Sequence, residues 1–294
     1  MDDALQEILR RVRRLELRSR GRVREELAGQ YHSSFRGQGI DFAEHRAYIP
    51  GDDTRSIDWN VTARMQDPYI RTFTEERELL VYLLVDVSPS TAFGSVRMSK
   101  RELAAEVAAT LAFSAMRNND KVGLILFSHD VELVLPAARG RPHVLRILRE
   151  ILHCPGHAGI TRPAVALAAL RKAVPRRALV VLLSDMAGED FADTLKPVAR
   201  KHDVIAVSLH DPAETELPDV GLVCLEDRET GTSLVVDSSD RGLRDRLATA
   251  STRWQAKLAR QFTAAGCEHL AVNTDADYVP ALHALLQRRS RHPR

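Results

Sequence analysis

The sequence predicts an α/β protein, a mostly parallel sheet with helices on both faces, preceded by an N-terminal helix and a small β appendage. Two observations predict the sheet. The runs LLVYLLVD, KVGLILFS, ALVVLLSD and VIAVSLHD are apolar throughout, as strands buried on both faces must be. Segments of helical periodicity lie between them, which favours parallel strands joined by helical crossovers. A third observation separates the appendage: residues 1–78 are polar and dense in charge, and the strand–helix rhythm occupies 79–290.

In chain order, the first segment reads as helix to about Gly39. Its stretch RRVRRLELRSRGRVR, Arg10 to Arg24, shares that helix with Leu5, Ile8, Leu9, Val12 and Leu15 on the other face. Such an arginine face is either a solvated or ion-paired surface, or a docking surface for an acidic protein or a phosphate backbone. Between Asp41 and Glu78 a Pro-Gly-Asp-Asp turn at Pro50 to Asp53 and the alternating run Tyr69 to Phe73 predict short antiparallel strands. LLVYLLVD is the first core strand. Ser99 caps the following helix, in which Leu103, Val107, Leu111 and Ala115 recur every fourth residue. KVGLILFS is the next strand, and VELVLPA pairs back on it through a Ser-His-Asp turn. Helices over about Pro142 to Leu152 and Arg162 to Ala173 lead to the strand ending at Asp185. Helix from Phe191 to His202, the strand VIAVSLHD and a long helix from about Gly242 to Ala265 follow. Before that long helix, GLVCLEDRETGTSLVVD predicts a hairpin turning at Thr230-Gly231 and extending a sheet edge. The strand HLAVNT and a helix over Val279 to Gln287 close the fold, and Arg288, Arg289, Arg291 and Arg294 read as a frayed basic tail.

Composition narrows the function classes. The 294 residues suffice for a substantial core without staples. Cys154, Cys224 and Cys267 are odd in number and without metal-ligand or redox spacing, so they read as buried thiols in a reducing compartment. No run approaches the roughly 20 apolar residues of a membrane span, and MDDALQEILRR carries charges where a signal peptide has its apolar core. A cytoplasmic location is the expectation. Net charge is +2, and the 5% of aromatic residues do not interleave with the arginines, so recognition of nucleic acid by stacking is not expected.

Ligands of such sheets bind beyond the carboxyl ends of the strands. Three features converge there: Asp86, Ser88 and Ser90 form D-x-S-x-S after the first core strand, Thr161 stands in GHAGITRP before a helix, and Asp185 ends VVLLSD. All five offer hard oxygen donors, a set suited to Mg²⁺ or Mn²⁺. Taken alone, D-x-S-x-S is equally an ordinary turn and cap sequence. With Thr161 and Asp185 it resembles the metal-ion-dependent adhesion site of von Willebrand factor A-type domains, a resemblance that covers Leu79 to Leu286. It implies that these side chains hold a divalent cation whose shell a partner's carboxylate completes.

The segments GIDFAEHRAYIPGDDTRSIDWNVTARM and RTFTEERELLVYLLVDVSPS are similar to the signature of the bacterial family of domains of unknown function 58, DUF58, in which this block precedes a von Willebrand A-like domain. That resemblance implies partnership with a MoxR-type AAA+ ATPase in assembling or activating a client protein. Within the block, Arg46, Arg55 and Arg64 stand among Glu44, Asp52, Asp53 and Asp58, beside Trp59. They form either an ion-paired scaffold or a recognition surface for the ATPase.

The rival classes are weaker on residue grounds. A haloacid-dehalogenase-like phosphatase resembles D-x-D, and Ser88 takes the second carboxylate's place; a two-metal nuclease needs more acids than Asp86 and Asp185. No P-loop sequence occurs. Ser128, His129 and Asp130 read as a turn rather than a catalytic relay, and His153, Cys154 and His157 lack a fourth zinc ligand. A metal-assisted phosphohydrolase, or nucleic-acid binding through the arginine helix, remains the alternative to a non-enzymatic interaction module.

Overall fold

The computed structural model describes residues 41–65, 67–74 and 79–291. The arginine-rich face expected between Arg10 and Arg24, and Arg294, lie outside the described residues. The described chain divides into two compact units, one ending at Leu79 and one continuing from Leu80.

In the first unit β1 (Asp41–Ala47) pairs antiparallel with β2 (Tyr69–Thr74). The sequence predicts only strands here. A 3-10 turn at Thr54–Ser56 and the helix α1 (Trp59–Met65) lie between them. Both begin at aspartates: Asp53 accepts from the Arg55 N–H, and Asp58 from the Asn60 N–H, each at 3.0 Å. A carboxylate at a helix start satisfies an otherwise orphaned N–H and faces the positive end of the helix dipole.

The second unit is built on a six-stranded sheet in the order β10-β7-β6-β3-β4-β5. Its strands are β3 (Leu80–Asp86), β4 (Lys121–Phe127), β5 (Val131–Ala138), β6 (Leu179–Ser184), β7 (Asp203–His210) and β10 (Glu268–Asn273). All neighbours are parallel except β4 and β5, the hairpin expected from the Ser-His-Asp turn. From β3 the chain builds outward through β4 and β5 on one side and through β6, β7 and β10 on the other. The strand order therefore reverses between β3 and β6, and parallel sheets open a ligand crevice at such a reversal.

Helices cover both faces. On one, α4 (Pro163–Ala173), α5 (Ala192–Lys201) and α7 (Arg241–Ala264) supply Leu167, Leu170, Leu195, Val198, Leu258 and Phe262 to a core with Tyr82, Leu84, Val180 and Leu182. On the other, α2 (Lys100–Arg117) lies over β3, β4 and β7, beside α3 (Arg141–His153). Its Thr110 hydroxyl is 2.8 Å from the Tyr278 hydroxyl just before α8 (Val279–Arg291). Helix α2 is buried almost all round from Lys100 to Ala115, as a helix with apolar residues on every side must be. A short helix α6 (Pro212–Thr215) follows β7.

Three expectations are corrected. The hairpin β8 (Leu222–Glu226) and β9 (Ser233–Asp237) is a separate two-stranded sheet, not an extension of the main sheet. Arg289 is no frayed tail: α8 continues through it, it is 3% exposed, and it pairs with Asp203 and Glu268. Of the three cysteines only Cys267 is buried; Cys224 is exposed and Cys154 is half-buried. Among the described residues no helix is long and apolar enough to cross a membrane.

Candidate functional site

Asp86 closes β3 at the reversal and is wholly buried. One of its oxygens accepts from the Ser88 N–H at 2.9 Å, the other from the Ser184 hydroxyl at 2.6 Å. Parallel pairing of β3 with β6 brings those two strand ends side by side. After Asp86 a 3-10 turn at Pro89–Ala92 folds the chain so that the Ser88 and Ser90 hydroxyls lie 2.9 Å apart. Ser90 then donates to Asp185 at 3.1 Å. Asp86, Ser88, Ser90 and Asp185 thus form one contiguous set of oxygens.

Thr161 is fully buried between α3 and α4. Its carbonyl accepts from the Glu189 N–H at 3.2 Å, and the Arg162 N–H donates to the Ser128 carbonyl at 2.9 Å. Two glycines permit this packing. A Cβ on Gly188 (φ +128°) would stand 2.2 Å from the Thr161 carbonyl, and one on Gly156 (φ +65°) 1.9 Å from the Val87 carbonyl. The Thr161 hydroxyl and N–H both donate to the Glu229 carboxylate, the N–H at 3.1 Å. Glu229 stands at the tip of the β8–β9 hairpin.

Two cations brace the site. The Arg101 guanidinium donates to the Cys154 carbonyl at 2.6 Å, the Ser88 carbonyl at 3.1 Å and the Val87 carbonyl, tying the start of the Thr161 loop to the D-x-S-x-S turn. Lys100, 1% exposed, donates to Asp185 at 2.8 Å and to Glu214 at 2.5 Å. Burial pulls the Lys100 ammonium down, but Asp185 and Glu214 outweigh it and hold its pKa above the ordinary lysine value.

Lys100 does not hydrogen-bond Asp86, which accepts from neutral N–H and O–H donors. Burial first, and the charge of Asp185 second, push the Asp86 carboxyl up to about 7 against the hydrogen bonds from Ser184 and Ser88. Among the described residues Asp86 takes no hydrogen bond from a cation, and the Arg101 guanidinium acts on it through its charge alone. The donor set of two carboxylates and neighbouring hydroxyls fits a hard divalent ion. Among the described residues no group of three or more His, Cys, Asp and Glu is placed to hold a metal, so the hydroxyls of Ser88 and Ser90 are what distinguish this set, while Thr161 bonds Glu229.

Sequence reasoning missed Ser184, Lys100, Arg101, Glu214 and Glu229. Lys100 carried a signal: a lysine directly after an N-cap opposes the helix dipole and asks for a compensating acid. Glu229 carried none, because its contact is decided by where a hairpin tip falls in space.

The Arg/Asp block divides by exposure. Arg46 and Asp52 form a two-pronged pair at 2.7 and 2.9 Å. Asp58, besides capping α1, lies 3.0 Å from the His45 ring. Those residues are paired within the first unit. Arg55 and Arg64 are exposed, and Trp59 is 69% exposed rather than packed. In the Ser-His-Asp turn, the Ser128 hydroxyl bonds Glu132, and His129 meets the Ile160 carbonyl at 3.1 Å. The arrangement is not a relay.

Comparison with known proteins agrees with the signature. The chain is 36% identical over 271 residues, 91% of its length and 85% of the relative's, to the uncharacterized protein Rv1480 of Mycobacterium tuberculosis (strain ATCC 25618 / H37Rv). It is similar, at 17% identity and a TM-score of 0.47, to an aerotolerance-related membrane protein from Bacteroides fragilis NCTC 9343, covering 72% of this chain and 98% of that one. It is likewise similar to the SpRpn10 VWA domain, at 11% identity and a TM-score of 0.40, covering 72% of this chain and 95% of that one. The family described as protein of unknown function DUF58 matches over residues 44–257, and with the signature block and the relative together, the chain belongs to the DUF58 family, its second unit an α/β fold on a mostly parallel sheet.

Proposed function

We propose that this chain is a non-enzymatic protein-interaction module whose site at the ends of β3 and β6 holds Mg²⁺ or Mn²⁺ and captures a carboxylate of a partner protein. One observation carries the reading: among the described residues the wholly buried Asp86 takes hydrogen bonds only from neutral donors, in one contiguous set of hard oxygens with Ser88, Ser90 and Asp185. Asp86, Ser88, Ser90, Thr161 and Asp185 would hold the ion, and when bound it supplies positive charge for an incoming carboxylate. Ser184 and the Ser88 N–H orient Asp86; Lys100 orients Asp185 and offsets its charge. For the partner, the family resemblance points to a MoxR-type AAA+ ATPase and a client protein. Exposed Arg55, Trp59 and Arg64 form a second candidate contact, where guanidinium and indole suit an acidic surface.

The test titrates Mg²⁺ and Mn²⁺ into the purified chain and into Asp86→Ala, then measures capture of the cognate MoxR-type ATPase with and without chelator. One-site binding lost in Asp86→Ala, with chelator-sensitive capture, is expected. Capture that survives both chelator and Asp86→Ala overturns the role of the site. Metal-dependent hydrolysis of p-nitrophenyl phosphate that vanishes in Asp86→Ala would make the chain a phosphohydrolase instead.

A further inference from the structure

The amino-terminal edge of the main sheet, opposite the site, carries a cluster of cations. Strands β6 and β7 are parallel neighbours, so the segments that lead into them, residues 171–177 and 200–201, share that edge. Arg171, Lys172, Arg176, Arg177, Arg200 and Lys201 are all exposed. The Lys201 ammonium donates to the Val174 carbonyl at 3.0 Å, and the Asp203 N–H to the Ala178 carbonyl at 2.9 Å, which ties the two segments together. Among the described residues none of the six cations has an ion-pair partner.

Charge in this part of the chain is sorted by edge. Between residues 163 and 202 the acids are Asp185, Glu189, Asp190 and Asp193, all in the connection from β6 to the first turn of α5, at the carboxyl edge. At the amino-terminal edge Asp203 opens β7 and Glu268 opens β10, and Arg289 takes both. Four of the six cations stand in the last turns of α4 and α5, where they also offset the helix dipole. Arg176 and Arg177 belong to neither helix, so that role does not account for them.

We infer that this edge binds the phosphate backbone of a nucleic-acid duplex without reading its bases. Arginine predominates in the cluster, and a guanidinium pairs with phosphate oxygens through two N–H donors at once. Residues 171–177 and 200–201 expose no aromatic and no large apolar side chain. A protein interface is centred on such side chains, a bilayer surface is entered with them, and single-stranded bases stack on them. A duplex backbone asks only for unpaired cations that displace its counterions. The inference goes beyond the adhesion reading and does not rest on it, because no metal takes part.

The experiment titrates the full chain into a fluorescein-labelled DNA duplex of random sequence and reads anisotropy, with chelator present so that the adhesion reading is not involved. With Lys201 engaged by Val174, the remaining cations predict a slope of log affinity against log salt of about −4.5, whatever the duplex sequence. Arg176→Ala/Arg177→Ala is expected to weaken binding roughly 50-fold at about 100 mM salt and to flatten the slope by about 2. The control, Arg246→Ala/Arg253→Ala, removes the same charge from exposed positions on α7 and is expected to change affinity by less than about threefold, because salt screens charges outside the contact. All four residues are exposed, and thermal melts of both variants are expected to match wild type. Equal losses in the two variants would mean diffuse attraction to a cationic chain and overturn the inference. Wild-type affinity retained in Arg176→Ala/Arg177→Ala, or no binding by wild type, overturns it as well. Polyglutamate or phosphatidylserine vesicles bound more tightly than the duplex at equal charge would give the edge to an acidic protein or a membrane, and the nucleic-acid inference would fall.

Discussion

His202 is buried at the end of α5, and neither ring nitrogen has a hydrogen-bond partner among the described residues. Burial, with the nearby charge of Lys201, lowers its pKa to about 4 from the ordinary 6.5. The folded protein therefore keeps it neutral while the unfolded chain binds a proton below about pH 6.5, so its stabilising share is complete above that pH and lost as pH falls toward 4. Urea unfolding at pH 7 and pH 4.5 is expected to show a loss on the order of 2 kcal/mol from this group, absent in His202→Phe. An equal loss in the variant would assign the pH dependence to other residues. At the site, Lys100→Met would leave the buried Asp185 without its ammonium and Glu214, 40% exposed, without its partner, and a drop of roughly 3 kcal/mol in unfolding free energy is expected. A change under about 1 kcal/mol would show that those acids find other compensation. The residue scale was partly legible in sequence: Asp86, Ser88, Ser90 and Asp185 are a local motif at two strand ends, and strand pairing brings them together. Lys100, Ser184 and Glu214 were not, because burial of the lysine and serine, and the fold that sets Glu214 against Lys100, are what make them partners of the site.

Two elements fail or persist for local reasons. The loop carrying Thr161 closes over Gly188, whose φ of +128° is one L side chains rarely adopt and whose added Cβ would strike the Thr161 carbonyl. Gly188→Ala is expected to cost more than about 1 kcal/mol and to weaken Mn²⁺ binding, since the loop must move; differential scanning calorimetry and metal titration report the two effects separately. The β8–β9 hairpin should show the fastest amide exchange of any paired strands in the second unit, while β3 and β6 exchange near the global limit. Protection of Leu222–Glu226 equal to that of Leu80–Asp86 would contradict the picture of an arm held at base and tip. Element type followed from periodicity wherever a strand was buried on both faces. It was missed where seven residues, Trp59–Met65, form a helix inside a charge-dense stretch, since a helix that short is stabilised by its Asp58 cap rather than by an apolar stripe.

At the scale of the whole molecule, every buried apolar side chain among the described residues except Ile70 lies between Val81 and Leu286. A fragment spanning residues 79–291, which carries that core, is expected to unfold in a single cooperative transition by circular dichroism. A broad, non-cooperative melt would mean that segments before Leu79 complete that core. The strand order with its reversal between β3 and β6 makes the crevice a property of topology, and helices on both faces leave the carboxyl edge as the place where polar groups can converge.

The sequence by itself determined the strand and helix alternation, the membership in the DUF58 family and the motif residues at the site, because these depend on periodicity and on residues close in the chain. Only the tertiary structure decided that the hairpin stands apart from the main sheet, that Arg289 is buried against Asp203 and Glu268, and that Glu229 reaches Thr161. Those are contacts between segments tens of residues apart, 68 in the last case. Solvation and charge balance select such contacts after the chain has folded, and no local pattern encodes them.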